Sequence, residues 1–286
     1  MRLVSYQGPN GLRVAAVREQ EYVDLHDADP EIPVAMNEFL AGGQEMLDRA
    51  RSAAARGKGM ARDNVRLSAP VPAPQKVLCV GLNYADHARE TGKEAPAEPV
   101  IFNKFVTAVS ADGDAIVLPR LSREVDYEAE LVAVIGRGGR HIPLASALHH
   151  VDGYCCGHDV SARDWQLRKP GGQWLLGKSF DTFAPFGPAL VTADEVGDTS
   201  NLRIQLRLNG RVMQDSTTAQ LIFSVAELVA YISGVCTLAP GDVIFTGTPP
   251  GVGVARKPPV FLQPGDTVEV EIERIGVLHN RVVAEA

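Results

Sequence analysis

The sequence predicts an α+β fold that is mostly β, with a small N-terminal α+β domain over residues 1–70 and a larger domain over 71–286. Three observations carry this. Short runs rich in apolar and β-branched residues recur along the chain between clusters of Gly, Pro, Asn and Asp, the pattern of strands and turns. These runs do not alternate regularly with helical segments, which argues for an all-β or α+β roll over a doubly wound sheet. The stretch Ala69-Pro70-Val71-Pro72-Ala73-Pro74 is stiff and extended, as expected of a boundary.

In chain order, residues 2–6, 12–17 and 21–25 read as strands, separated by the turn signals Gly8-Pro9-Asn10-Gly11 and 27–30, and residues 33–55 read as one helix. Beyond the boundary, strands are expected at 76–81, 100–105, 115–118, 125–135, 202–209, 242–246 and 267–275. The clearest later helix is 224–231. There Ser224 and Glu227 have the spacing of a capping box and Gly234 stands where a helix would stop.

With 286 residues, 45% of them hydrophobic and 22% charged, the chain has the composition of a soluble globular protein with a sizeable core. A net charge of −7 and no Lys/Arg cluster argue against nucleic acid as a partner and for a small ligand. The first residues lack the apolar segment of a signal peptide and the Arg/Ser-rich character of a transit peptide, so a cytoplasmic location is expected. Cys79, Cys155, Cys156 and Cys236 lack the spacing of a zinc or redox pair and read as reduced thiols.

Residues 124–136 run Glu-Val-Asp-Tyr-Glu-Ala-Glu-Leu-Val-Ala-Val-Ile-Gly. On one strand, Glu124, Asp126, Glu128 and Glu130 share a face at a spacing of roughly 6.5 Å, and their repulsion grows beside the apolar run that follows. A divalent cation would relieve it; a charged edge strand that blocks aggregation would show the same pattern. His87 and Glu90 stand three apart on a short helical turn, as a carboxylate-supported general base or as a solvated ion pair. Asp159, Arg163 and Gln166 follow at steps of four and three, either a cation ligand with two substrate contacts or an Asp–Arg pair holding a turn. Lys178 is a lone lysine between Gly177 and Ser179. The loop 246–253, Thr-Gly-Thr-Pro-Pro-Gly-Val-Gly, would hold an anion or simply turn, and it lacks the ending of a nucleotide-binding loop.

Together and in this order, the segments Gly81-Leu82-Asn83-Tyr84-Ala85-Asp86-His87, 124–136, 158–166, Gln173-Trp174-Leu175-Leu176-Gly177-Lys178 and 246–253 resemble the fumarylacetoacetate hydrolase family over residues 76–283, and most nearly its type 2 domain-containing members. The resemblance implies a β-roll, a Mg²⁺ ion (or Mn²⁺ or Ca²⁺ in its place) and a homodimer. It implies metal ligation by Glu128, Glu130 and Asp159, substrate contacts from Arg163, Gln166 and Thr248, and catalytic roles for His87, Glu90 and Lys178. One feature departs from the founding members, which bring a fourth carboxylate from just upstream of the histidine; only Asp86 stands there, so fumarylacetoacetate itself is not the expected substrate. The activity implied first is hydrolysis of a C–C bond in acylpyruvate-type 2-oxo acids. Keto-enol tautomerisation or decarboxylation of oxaloacetate comes second, and a protein binding metal and ligand without turnover is the reading from another class.

Overall fold

The computed structural model describes residues 1–92 and 94–286. Among the described residues the main sheet runs, edge to edge, through Gly59–Ala61, Glu21–Asp24, Gly11–Arg18, Arg2–Gly8, Ala184–Thr192, Val151–His158, Ala129–Ile135, Val243–Phe245, Val77–Gly81 and Val100–Lys104. A second sheet is ordered Arg211–Thr217, Arg203–Leu208, Thr267–Ile272, Gly276–Ala284, Ala115–Leu118. Strand Arg2–Gly8 pairs antiparallel with Gly11–Arg18 on one side and with Ala184–Thr192 on the other, so the N-terminal strands extend the main sheet.

The expected helix over 33–55 is two helices, Met36–Ala41 and Gly43–Arg56. The break falls at Gly42-Gly43, where Gly43 adopts φ +58, a left-handed conformation that ends the first helix and redirects the chain. Helix Val225–Val235 carries the capping box in both directions, but Gly234 lies inside it and the helix ends at Cys236. The expected strand over 125–135 is also divided. Val125–Asp126 pairs with Ser161–Ala162, while Ala129–Ile135 enters the main sheet. The division follows from Asp126, which accepts hydrogen bonds from the backbone amides of Tyr127, Gly253 and Val254 and ties its own segment to the 253–254 loop.

All seven residues of Ala129–Ile135 are buried, as an apolar strand with neighbours on both sides requires. One of those neighbours, Val151–His158, was absent from the sequence reading because Gly153 and Gly157 dilute its strand signal. Gly157 serves packing: a Cβ there would sit 2.3 Å from Val132 Cγ2. Three of the four free cysteines are buried in this core. No helix among the described residues is long and apolar enough to cross a membrane.

Candidate functional site

The register of two antiparallel strands builds the acidic centre. Ala129 pairs with His158 and Glu130 with Gly157, so the next residues outward, Glu128 and Asp159, stand opposite each other, joined by the Asp159 amide donating to the Glu128 carbonyl at 3.0 Å. Opposite residues project to one face, and Glu130, two along from Glu128, joins them. One carboxylate oxygen from each of Glu128, Glu130 and Asp159 lies within 4.8 Å of the others, and all three residues are buried.

Cations surround this triad. Lys178 Nζ donates to Glu128 Oε2 at 2.8 Å and to Asp159 Oδ2 at 2.9 Å, which leaves the third of its ammonium donors for the cleft. Arg163 pairs with Asp126 at 2.7 Å and Glu128 at 2.6 Å and donates to Gln166 Oε1 at 2.9 Å. Burial alone would push the Glu128 carboxyl up; Lys178 and Arg163 overrule it and hold it down at about 2. For Glu130 the balance runs the other way, as burial, then Asp159 and Glu128, push its carboxyl well above the usual range. Its Oε2 is held by the Gly247 amide at 2.8 Å.

Below the triad lies Lys104, which the sequence reading did not single out. Its ammonium donates to the carbonyls of Val160, Lys178 and Phe183 at 3.0, 2.6 and 2.6 Å, and it lies 2.6 Å from Asp159 Oδ1. The Lys104 ammonium thus ties Asp159 Oδ1 to the carbonyls beneath it as a buried ion pair. An all-oxygen set of three crowded, buried carboxylates fits a hard divalent cation. Neighbouring His158 is fully buried; desolvation, reinforced by Lys104, pushes it down to about 3, so it stays neutral.

A cleft of about 170 Å³ opens over the triad. Its polar wall includes His87, Glu128, Glu130, Arg163, Gln166, Lys178 and Thr248, so eight of the nine residues singled out from sequence either line it or belong to the triad. The ninth, Glu90, stands behind His87: its Oε2 lies 3.0 Å from His87 Nδ1 and its Oε1 accepts from the Gly251 amide at 2.9 Å. That pairing places the Nδ1 proton toward Glu90 and leaves Nε2 as the basic nitrogen. Thr248 is less free than expected, because its hydroxyl donates to the Ala129 carbonyl at 2.9 Å and accepts from Gln214 at 2.8 Å. Part of the wall is apolar: Phe102 meets Trp174 edge-on at 5.4 Å, and Lys178 Nζ lies 5.1 Å from the Phe102 ring centre.

The other acidic residues have separate tasks. Asp126 is fully buried and holds Arg163, whereas Glu124 pairs with Arg168 in a partly exposed position. Asp86 accepts from Ser216 Oγ at 2.6 Å and lies outside the triad. Besides Lys104, the sequence reading missed Gln214, an isolated glutamine in an unremarkable strand with no local signal.

The fumarylacetoacetate hydrolase C-terminal family model matches residues 76–283. A curated relative, "Oxaloacetate tautomerase FAHD2A, mitochondrial" of Bos taurus, is 50% identical over 288 residues, covering 99% of this chain and 92% of the relative. Its name overturns the cytoplasmic expectation, which rested on an unremarkable first segment. Two solved structures cover all of this chain and are covered completely by it. One is a fumarylacetoacetate hydrolase from Exiguobacterium antarcticum, 37% identical with a TM-score of 0.86. The other is a maleylpyruvate hydrolase from Sphingobium sp. SYK-6 in complex with manganese (II) ion and pyruvate, 30% identical with a TM-score of 0.84. On this evidence the chain is an enzyme of the fumarylacetoacetate hydrolase family.

Proposed function

We propose that the chain is a divalent-cation-dependent enzyme of small 2-oxo acids and that its reaction is keto-enol tautomerisation of oxaloacetate. The observation that carries the cation is the buried triad of Glu128, Glu130 and Asp159, one carboxylate oxygen of each within 4.8 Å of the others. Tautomerisation is placed ahead of C–C hydrolysis because the 50% identical relative bears that activity in its name and spans 99% of the chain. Mg²⁺ is the proposed ion, with Mn²⁺ as the replacement favoured by the Sphingobium complex. The proposed assembly is a homodimer, in which residues 71–286 form the catalytic domain and 1–70 the small N-terminal domain.

A cation held by the triad would polarise the 2-oxo group and the adjoining carboxylate of the substrate. The remaining chemistry belongs to side chains. His87 Nε2, left as the proton acceptor by the Nδ1–Glu90 pairing, takes a proton from C3. His87 then returns that proton to the oxo oxygen, to which the third N–H of Lys178 would donate, so one C–H bond is exchanged for one O–H bond. Gln166, whose oxygen is held by Arg163, lines the same cleft with Phe102 and Trp174 and would contact the substrate there.

Hydrolysis is the second reading, favoured by the maleylpyruvate hydrolase likeness over the whole chain. In it the same His87 would take its proton from water rather than from C3. The deciding experiment follows enol loss from oxaloacetate and pyruvate release from maleylpyruvate in parallel, after chelation and after restoring Mg²⁺ or Mn²⁺. Cation-dependent enol loss supports the proposal, while full activity in excess chelator refutes it. Replacing His87 by alanine is expected to abolish turnover and to leave cation binding near normal.

A further inference from the structure

Glu128 and Glu130 flank a single residue, Ala129, whose backbone sets where both carboxylates project. At this point the main sheet is running out: the pairing of Ala129–Ile135 with Val243–Phe245 begins only at Val132. Side chains continue the ladder instead. The Ala129 amide donates to Gln214 Oε1 at 2.8 Å, and the Ala129 carbonyl accepts from Thr248 Oγ1 at 2.9 Å. Gln214 Nε2 closes the loop by donating to Thr248 Oγ1 at 2.8 Å and to the Pro249 carbonyl at 2.7 Å. Gln214 is 1% exposed and comes from Arg211–Thr217 in the second sheet, so one amide joins the acidic strand, the Thr248 loop and the other sheet.

We infer that Gln214 is a positioning residue for the cation site, holding the backbone between Glu128 and Glu130 so that both carboxylates meet Asp159. This rests on the proposed cation reading. Gln214 touches neither the triad carboxylates nor the cleft; it acts through Ala129. The requirement is geometric, because ligand groups must be held to within about 0.5 Å and a free backbone amide would not hold them. Loss of a supporting hydrogen bond behind a metal ligand typically weakens metal affinity by about 10- to 100-fold.

The test titrates the chelator-stripped full chain with Mn²⁺ and reads the electron paramagnetic resonance signal of the free aqueous ion. Gln214→Met keeps the length and removes every hydrogen bond, and Gln214→Asn stays polar but is one methylene too short to span the gap. Leu278→Ala, in the second sheet and 1% exposed in the native chain, supplies a destabilised control remote from Ala129. Both Gln214 variants are expected to bind Mn²⁺ at least about tenfold more weakly than the native chain, and Leu278→Ala within about twofold of it. If Gln214→Met is insoluble, Gln214→Asn decides the matter by the same criterion. Native-like binding by the Gln214 variants, or an equal loss in Leu278→Ala, overturns the positioning role alone. Failure of the native chain itself to bind Mn²⁺ overturns the proposed cation reading and this inference with it.

Discussion

Glu128→Gln tests how the buried charges are balanced. One oxygen of Glu128 lies 2.6 Å from Arg163 and the other 2.8 Å from Lys178. Burial opposes ionisation, yet those two cations bring the carboxyl from 4.5 down to about 2. By linkage, a carboxylate held that far below its unfolded value contributes on the order of 3 kcal/mol at neutral pH. Deleting one member of a buried ion pair costs about 3–5 kcal/mol by a separate route, so the two figures meet near 3. The assay is urea unfolding of chelator-treated protein, native against Glu128→Gln, across pH. Because the folded value is depressed, the contribution is fully present above about pH 4.5 and is lost as pH falls through about 2. The gap between the two proteins should therefore be about 3 kcal/mol and flat from roughly pH 5 to 8, narrowing on further acidification. A gap under about 1 kcal/mol at neutral pH, or one that widens in acid, would refute the reasoning.

Gly247→Ala should cost about 1–3 kcal/mol, since Gly247 adopts φ +104 and a Cβ would lie 2.7 Å from Asn83 Cβ; an unchanged thermal midpoint would show that the loop relaxes freely. Lys104→Met should cost at least about 3 kcal/mol in urea unfolding, because the carbonyls of Val160, Lys178 and Phe183 lose their donor together; a loss below about 1 kcal/mol would mean that water replaces the ammonium.

What was legible in the sequence was chemistry concentrated in short segments. Glu128 and Glu130 announce themselves because carboxylates beside a buried apolar run are costly, and His87 with Glu90 because three residues is one helical turn. The strand pairing that sets Asp159 opposite Glu128 was not legible, since it depends on Val151–His158, whose two glycines hide a central strand. The single strand expected over 125–135 failed for a related reason: Asp126 spends its carboxylate on the backbone of a loop more than a hundred residues away, a contact no local pattern encodes. Lys104 and Gln214 escaped because their partners are mostly backbone groups, which every sequence has everywhere.

The fully buried charges around the triad also constrain the order of events. Asp126, Glu128, Glu130 and Asp159 face Lys104, Arg163 and Lys178, all at or below 6% exposed. Burial pushes the Lys104 ammonium downward and Asp159 pushes it back; with three carbonyls accepting from it, it counts as a cation, so four carboxylates stand against three cations. One negative charge remains, and the raised Glu130 carboxyl is where the structure relieves it when no cation is present. With Glu130 protonated the cluster is neutral, so a doubly charged 2-oxo acid entering it finds no net positive charge to hold it. A divalent cation would change this by returning Glu130 to its ionised form and leaving the cluster net positive. On the proposed cation reading, the same carboxylate crowding would make substrate binding conditional on the cation, which is the electrostatic logic expected of an enzyme for 2-oxo acids.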